Sequence, residues 1–128
     1  MAGPKRRTLT KAELRIMEVL WQLRRATVAD VVAALPRPPL AYTTVLTMLR
    51  ILEQKRFVKR EAGARAHIYA PLVEREAAAT SAIGDLVASF FSNSKTALAV
   101  RLMADARPSA EELDEIKSLI ARYEEDHR

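Results

Sequence analysis

The segment Tyr42–Gln54 constrains the fold most strongly, because its side chains divide into two faces of different chemistry. At about 100° per residue, its apolar side chains share one face, which predicts a helix packed against a core. These are Val45, Met48, Leu49 and Leu52. The same geometry brings polar side chains together on the opposite face: Thr43, Thr47, Arg50 and Gln54.

The polar face of this helix has the chemistry of DNA base recognition. Hydroxyls, a guanidinium and an amide are groups that contact base edges in the major groove. Thr43, Thr44 and Thr47 are also mediocre helix formers, so helix propensity does not explain their presence. We therefore predict a recognition helix, while a solvated face without a partner remains the alternative.

The flanking segments predict a winged helix. A capping box, Thr10 with Glu13, starts a first helix over 11–24, and Thr27 caps a short second helix over 27–35 that ends at Pro36. After the recognition helix, two strands over 57–61 and 66–70 are separated by a turn at Gly63. This order is that of a helix-turn-helix unit followed by a two-stranded wing. The first helix has an apolar stripe of Leu14, Ile16, Met17, Leu20, Trp21 and Leu23.

Charge is distributed unevenly along the chain. Residues 1–71 hold 14 Lys and Arg against 5 Asp and Glu, a net charge of +9, whereas residues 72–128 hold 7 against 11, a net charge of −4. A basic first half favours a polyanionic partner, since phosphate contacts dominate non-specific nucleic-acid affinity. We predict a basic arm over 1–8 and phosphate contacts from Lys55 and Arg65. Such cations also occur on solvated hairpin edges.

The second half, 72–128, predicts three amphipathic helices over 73–91, 95–104 and a segment after Pro108. They are too apolar for a solvated tail and too few to enclose a core. A homodimer would bury this surface, and a monomer in which the helices fold back is the alternative. The predicted dimer contacts are Leu86, Phe90, Leu98, Leu102, Leu113, Ile116 and Ile120.

Several classes of protein are disfavoured by what the sequence lacks. It has no apolar run of membrane-spanning length and no apolar segment behind its basic start, so we expect a cytoplasmic protein. It has no cysteine, two histidines and no glycine-rich phosphate loop. These features predict no metal, no cofactor and no enzymatic activity.

Three blocks in the first half resemble the penicillinase-repressor family (BlaI/MecI/CopY type). They are LTKAELRIMEVLW, AYTTVLTMLRILEQKRFV and RAHIYAPLV, in the order and spacing of that family. The resemblance is strongest over 9–73 and continues by helix pattern to about residue 125. It implies a mainly α chain, with a winged helix-turn-helix over 9–71 and a three-helix dimerisation domain over 72–128.

The resemblance also implies a function and its residues. Family members are homodimeric repressors of inverted-repeat operators, and some control β-lactam-response genes. The positions that contact DNA correspond to Tyr42, Thr43, Thr44, Thr47 and Arg50. Many members are induced through a membrane sensor-protease pathway that leads to cleavage of an Asn-Phe bond. That bond aligns with Arg101 and Leu102, which are different residues. The copper-responsive branch uses cysteines that this chain lacks.

The sequence thus predicts a sequence-specific DNA-binding repressor. The alternative is a winged-helix module that binds protein and does not read DNA. The charge of +9 over residues 1–71 favours DNA, because a protein-docking module has no need of it.

Overall fold

The computed structural model describes residues 8–128, which form a mainly helical chain. Contacts divide the chain into two compact units, residues 1–85 and 86–128. The predicted arm falls on residues 1–7, outside the described residues, and on Thr8. Along the described part, the elements are α1 (Lys11–Leu23), α2 (Val28–Ala34), α3 (Tyr42–Gln54), β1 (Val58–Glu61), β2 (Ile68–Pro71), α4 (Arg75–Phe90), α5 (Lys95–Ala106) and α6 (Ala110–Asp126).

Side-chain caps fix where the helices begin. The Thr10 hydroxyl accepts from the Glu13 amide at 3.1 Å, and the Glu13 carboxylate accepts from the Thr10 amide at 2.8 Å. Thr27 with Asp30 and Ser109 with Glu112 form the same reciprocal pairs at α2 and α6. Each pair satisfies two amides that a helix start leaves without partners. The predicted starts of α1 and α2 are therefore confirmed.

The core of the first unit lies between α1 and α3. Ile16, Met17 and Leu20 of α1 are fully buried, as are the three inner residues of α3, namely Val45, Leu49 and Leu52. Met48 is only partly buried at the edge of this core. Leu14 and Leu23, which the periodicity assigned to the core stripe, are about two-fifths exposed. They lie at the margins of a stripe whose centre is Ile16, Met17 and Leu20, so that part of the prediction is wrong.

The wing is an antiparallel pair in which Val58 faces Pro71 and Glu61 faces Ile68. The connecting turn requires Gly63, because a Cβ there would lie 2.2 Å from the Ala66 carbonyl oxygen. A third segment also pairs with this sheet, and no sequence pattern predicted it. Ala26, between α1 and α2, exchanges two backbone hydrogen bonds with Tyr69, of 3.0 and 2.8 Å. These bonds attach β2 directly to the connection between the first two helices.

The second unit contains the end of α4 and all of α5 and α6. Ser94 caps α5, which continues to Ala106 and not to 104 as predicted, and Arg107 ends it in a left-handed conformation. The helix α6 has no buried residue. The boundary between the two compact units lies inside α4, between residues 85 and 86. The predicted boundary between a DNA-binding and a dimerisation domain, at 71/72, stays a prediction.

Candidate nucleic-acid interface

The helix α3, which the sequence predicts to be a recognition helix, is packed against the core on one face and contacted near both ends. Its inner residues are buried in the core described above. In the turn that precedes it, an Arg15 amino group donates to the carbonyl oxygens of Pro36, at 2.6 Å, and Pro38. Just after its end, the Lys55 ammonium bonds both carboxylate oxygens of Glu13, at 2.8 and 2.9 Å. Because Glu13 and Arg15 both belong to α1, this helix contacts the chain on both sides of α3.

The outer face of α3 is open to solvent. Thr43, Thr44, Thr47 and Arg50 are all exposed, and Tyr42 at the helix start is about half exposed. The structure therefore brings these five predicted residues onto one accessible helix. The Thr47 hydroxyl donates to the Thr43 carbonyl at 2.9 Å, which leaves its methyl group and oxygen lone pairs for a partner.

Arg50 is the cation best placed for a new contact. Its guanidinium makes no hydrogen bond or ion pair with any residue between 8 and 128. An unpaired guanidinium on an exposed helix face retains all five donors for a planar acceptor pair, such as O6 and N7 of guanine. The exposed surface of α3 thus presents hydroxyls, methyl groups and the Arg50 guanidinium, which has no partner among residues 8–128.

Lys55 occupies a different environment from the one predicted. Its side chain is about one-fifth exposed, and its ammonium pairs with Glu13, whose side chain is 6% exposed. The ammonium therefore holds α3 against α1, and we leave Lys55 out of the proposed phosphate contacts. The two residues lie 42 positions apart, and no local pattern in the sequence links them.

The electrostatics of Glu13 follow from these contacts. Burial alone would raise the pKa of its carboxyl group, but hydrogen bonds from Lys55 and Thr10 outweigh burial and lower the pKa below the ordinary 4.5. A lowered pKa in the folded state means that this carboxylate stabilises the fold above its unfolded pKa. That stabilisation is lost as the pH falls through the lower folded value.

We expect Glu13→Gln to lower the free energy of unfolding by about 2 kcal/mol at pH 7, because the Lys55 ammonium loses its charged acceptor. Urea denaturation at pH 7 and at pH 3 would measure the effect. The difference in free energy of unfolding between wild type and variant should be smaller at pH 3. Lys55→Met in the same assay is the control, and the double variant should lose less than the sum of the single losses. An equal difference in free energy of unfolding at both pH values would contradict the stabilising role of the Glu13 carboxylate.

The wing carries two kinds of cation. Lys59 lies 3.3 Å from Glu61, and Arg60 lies 3.6 Å from Glu53, so both are partly neutralised. Arg56 and Arg65 are exposed and have no ion-pair partner between residues 8 and 128. Arg65 is therefore available for a phosphate contact as far as residues 8–128 are concerned, and that contact stays a prediction. Sequence reasoning did not distinguish Arg56 from its paired neighbours, since pairing depends on tertiary contacts.

The predicted dimer contacts lie on the end of α4, on α5 and on α6. Three of them are more than half exposed in the single chain, namely Phe90, Leu102 and Ile120, and Leu86 is about two-fifths exposed. Leu98, Leu113 and Ile116 are half-buried. Phe90, at 79% exposed, is the most solvent-accessible of the large apolar side chains within residues 8–128. The second unit therefore presents apolar surface that its own residues do not cover.

The pair aligned with the family's cleavage position lies inside α5. Arg101 and Leu102 are both exposed, and the Arg101 guanidinium lies 5.8 Å from the centre of the Phe91 ring. Cleavage of this bond would first require local unfolding of the helix, because proteolysis acts on opened chain. Proteolytic induction at this position stays a prediction.

Within residues 8–128, no group of three or more His, Asp or Glu side chains is arranged to hold a metal ion. No helix in that range is long and apolar enough to cross a membrane.

Comparison with known proteins identifies the family. The family model described as penicillinase repressor matches residues 9–122. The transcriptional regulator BlaI of Mycobacterium tuberculosis is 35% identical over 118 residues, which are 90% of this chain and 84% of the relative. A solution structure of monomeric Bacillus licheniformis BlaI with the blaP half-operator is 25% identical and covers 56% of this chain and 89% of its own, with a TM-score of 0.48. A CopR repressor structure is 34% identical over 52% of this chain and 97% of its own, with a TM-score of 0.45. These family and sequence matches show that the chain belongs to the penicillinase-repressor family, whose members are transcriptional repressors and not enzymes.

Proposed function

We propose that this protein is a homodimeric repressor that binds an inverted-repeat DNA operator through α3 and its wing. The observation that carries the proposal is the two-faced nature of α3. Val45, Leu49 and Leu52 are fully buried, while Thr47 and Arg50 on the other side are exposed. A helix anchored in this way can enter the major groove as a rigid part of the unit.

The residues of the outer face would divide the work of recognition. Arg50 would donate two hydrogen bonds to a guanine, a contact worth roughly 1–3 kcal/mol of discrimination. The methyl groups of Thr43 and Thr47 would pack against thymine methyl groups. Tyr42 and Thr44, near the start of α3, would bond phosphate oxygens together with the free amides of the first turn.

The wing would add affinity without sequence preference. Arg56 and Arg65 have no ion-pair partner among the described residues 8–128, and each phosphate contact releases counterions from the duplex. Affinity should therefore fall steeply with salt, whereas the preference for one sequence over another should come from α3.

The exposed apolar surface of the second unit supports the proposed dimer. A soluble chain that leaves Phe90, Leu102 and Ile120 more than half exposed has a strong reason to associate. A twofold pairing of identical chains buries the same surface on both and places two recognition helices at one inverted repeat. Repression would result from occlusion of the promoter by the bound dimer.

Selection from random duplex DNA tests this proposal. Purified protein would be equilibrated with a library of random 40-base-pair duplexes at fixed salt, and bound DNA would be sequenced. We expect a twofold-symmetric motif whose half-sites are centred about 10 base pairs or a small multiple apart. Recovery of no motif, together with salt-sensitive binding of all duplexes, would show that the protein binds DNA without reading it. No retention of any duplex would favour a protein-binding module.

A further inference from the structure

The first unit contains a cavity of about 360 Å³ between α1 and the first turns of α4. We propose that this cavity is an effector site for small aromatic carboxylates. Its volume lies at the lower end of the range of ligand pockets, about 300–1,000 Å³. Its walls are mostly apolar and include Leu9, Leu14, Trp21, Ala78, Ala79 and Ala82.

Polar contacts at both ends of the cavity connect its two walls. At one end, the Trp21 indole N–H donates to the Val73 carbonyl at 2.8 Å, and Arg24 makes a two-point ion pair with Glu74 at 2.7 and 2.8 Å. At the other end, the Thr8 hydroxyl donates to the Asp85 carboxylate at 2.7 Å. Because the small side chains of α4 face Leu14 and Trp21, the space between these fixed points stays unfilled.

The polar part of the lining includes an ion pair between Arg75 and Glu18, and the donors that this pair leaves over suggest the class of ligand. The Arg75 guanidinium lies 4.8 Å from the centre of the Trp21 ring system and bonds Glu18 through one amino group. Its second amino group and its Nε bond no acceptor between residues 8 and 128. A ligand carboxylate can take these donors while an aromatic ring packs against the indole and the leucines. A purely apolar ligand would leave these remaining donors without an acceptor, since Glu18, which also lines the cavity, occupies only one amino group.

The position of the cavity links it to α3, and this step rests on the proposed function. The helix α1 forms one wall and also supplies Glu13 and Arg15, which contact Lys55 and the turn before α3. A ligand that shifts α1 therefore changes how the recognition helix is held. By linkage, operator binding must change ligand affinity by the same factor.

Binding is tested through Trp21, the sole tryptophan of the chain, whose fluorescence reports directly on the cavity. The probe is 3-phenylpropionate, which does not absorb where tryptophan alone is excited. We expect a saturable change with a dissociation constant of roughly 0.1–1 mM. The neutral amide of the probe should bind about 10-fold more weakly, and Arg75→Gln should make acid and amide equal. Absence of a saturable signal in wild type would overturn the site.

Filling the cavity provides the matched control. Ala82→Phe should abolish the titration, whereas Ala77→Phe, an exposed position of the same helix outside the lining, should leave it unchanged. Ala79→Leu serves the same purpose if Ala82→Phe does not fold, as judged by circular dichroism. Unchanged probe affinity in a folded cavity-filling variant would place the probe elsewhere and overturn the assignment.

The effector role is tested with the selected operator. At saturating 3-phenylpropionate, we expect operator affinity to change at least fivefold in wild type and not in Ala82→Phe. Saturable binding with unchanged operator affinity would overturn the effector role. A protein that selects no operator would refute the proposed function, while the fluorescence titration would still decide whether the cavity binds the probe.

Discussion

Ile116→Asp should convert the proposed dimer into monomers and lower operator affinity at least 100-fold. The substitution would place a carboxylate in an apolar interface, where burial of an unpaired charge costs several kcal/mol. Because each monomer would then carry one recognition helix, the advantage of binding both half-sites together would be lost. Leu113→Asp, one turn earlier on α6, should have the same effect.

Sedimentation velocity at micromolar concentration measures this prediction directly, with a mobility-shift titration on the selected operator as the second readout. Ser118→Asp is the matched control, because it adds the same charge on the opposite side of α6. It should remain dimeric. If Ile116→Asp sediments as a dimer, the interface does not include this face of α6.

Arg50→Ala is expected to reduce operator affinity by about 10-fold to 100-fold while leaving the fold intact. Loss of a bidentate contact to guanine removes roughly 1–3 kcal/mol of discrimination. Since Arg50 has no partner between residues 8 and 128, its removal should break no contact within the protein. Thr47→Ala should act in the same direction with a smaller effect, since one methyl contact is lost.

The measurement compares operator and scrambled duplex at one salt concentration. Arg50→Lys keeps the charge but lacks the planar guanidinium. It should therefore retain non-specific DNA binding and lose the preference for the operator over the scrambled duplex. Arg122→Ala on α6 controls for the loss of one positive charge. If Arg50→Ala weakens both duplexes equally, Arg50 contacts phosphate and another residue reads the base.

Local rules made much of the fold predictable from sequence. The capping pairs at Thr10, Thr27 and Ser109 involve residues three positions apart, so a linear reading finds them. The buried face of α3 followed from helical periodicity in the same way. In each case the physical cause lies within one or two helical turns, which is the range over which sequence patterns carry information.

Contacts between distant segments were not predictable. The pairing of Glu13 with Lys55 and the bonds between Ala26 and Tyr69 depend on how whole elements pack. A single bridging residue such as Ala26 has no alternation that would mark it as part of a sheet. The cavity was also missed, because its volume depends on the spacing between α1 and α4 and not on any local pattern.

The outward side of α3 has a consequence for how such proteins diversify. Thr43, Thr44 and Arg50 contribute almost nothing to holding the helix in place. The buried side chains of α3 and the hydrogen bonds from Glu13 and Arg15 of α1 do so. Substitutions at these positions are therefore nearly free of a folding penalty. Duplicated copies of such a gene can therefore acquire new target sites while the rest of the fold stays the same. A laboratory library confined to these positions should yield folded proteins with altered DNA sequence preference.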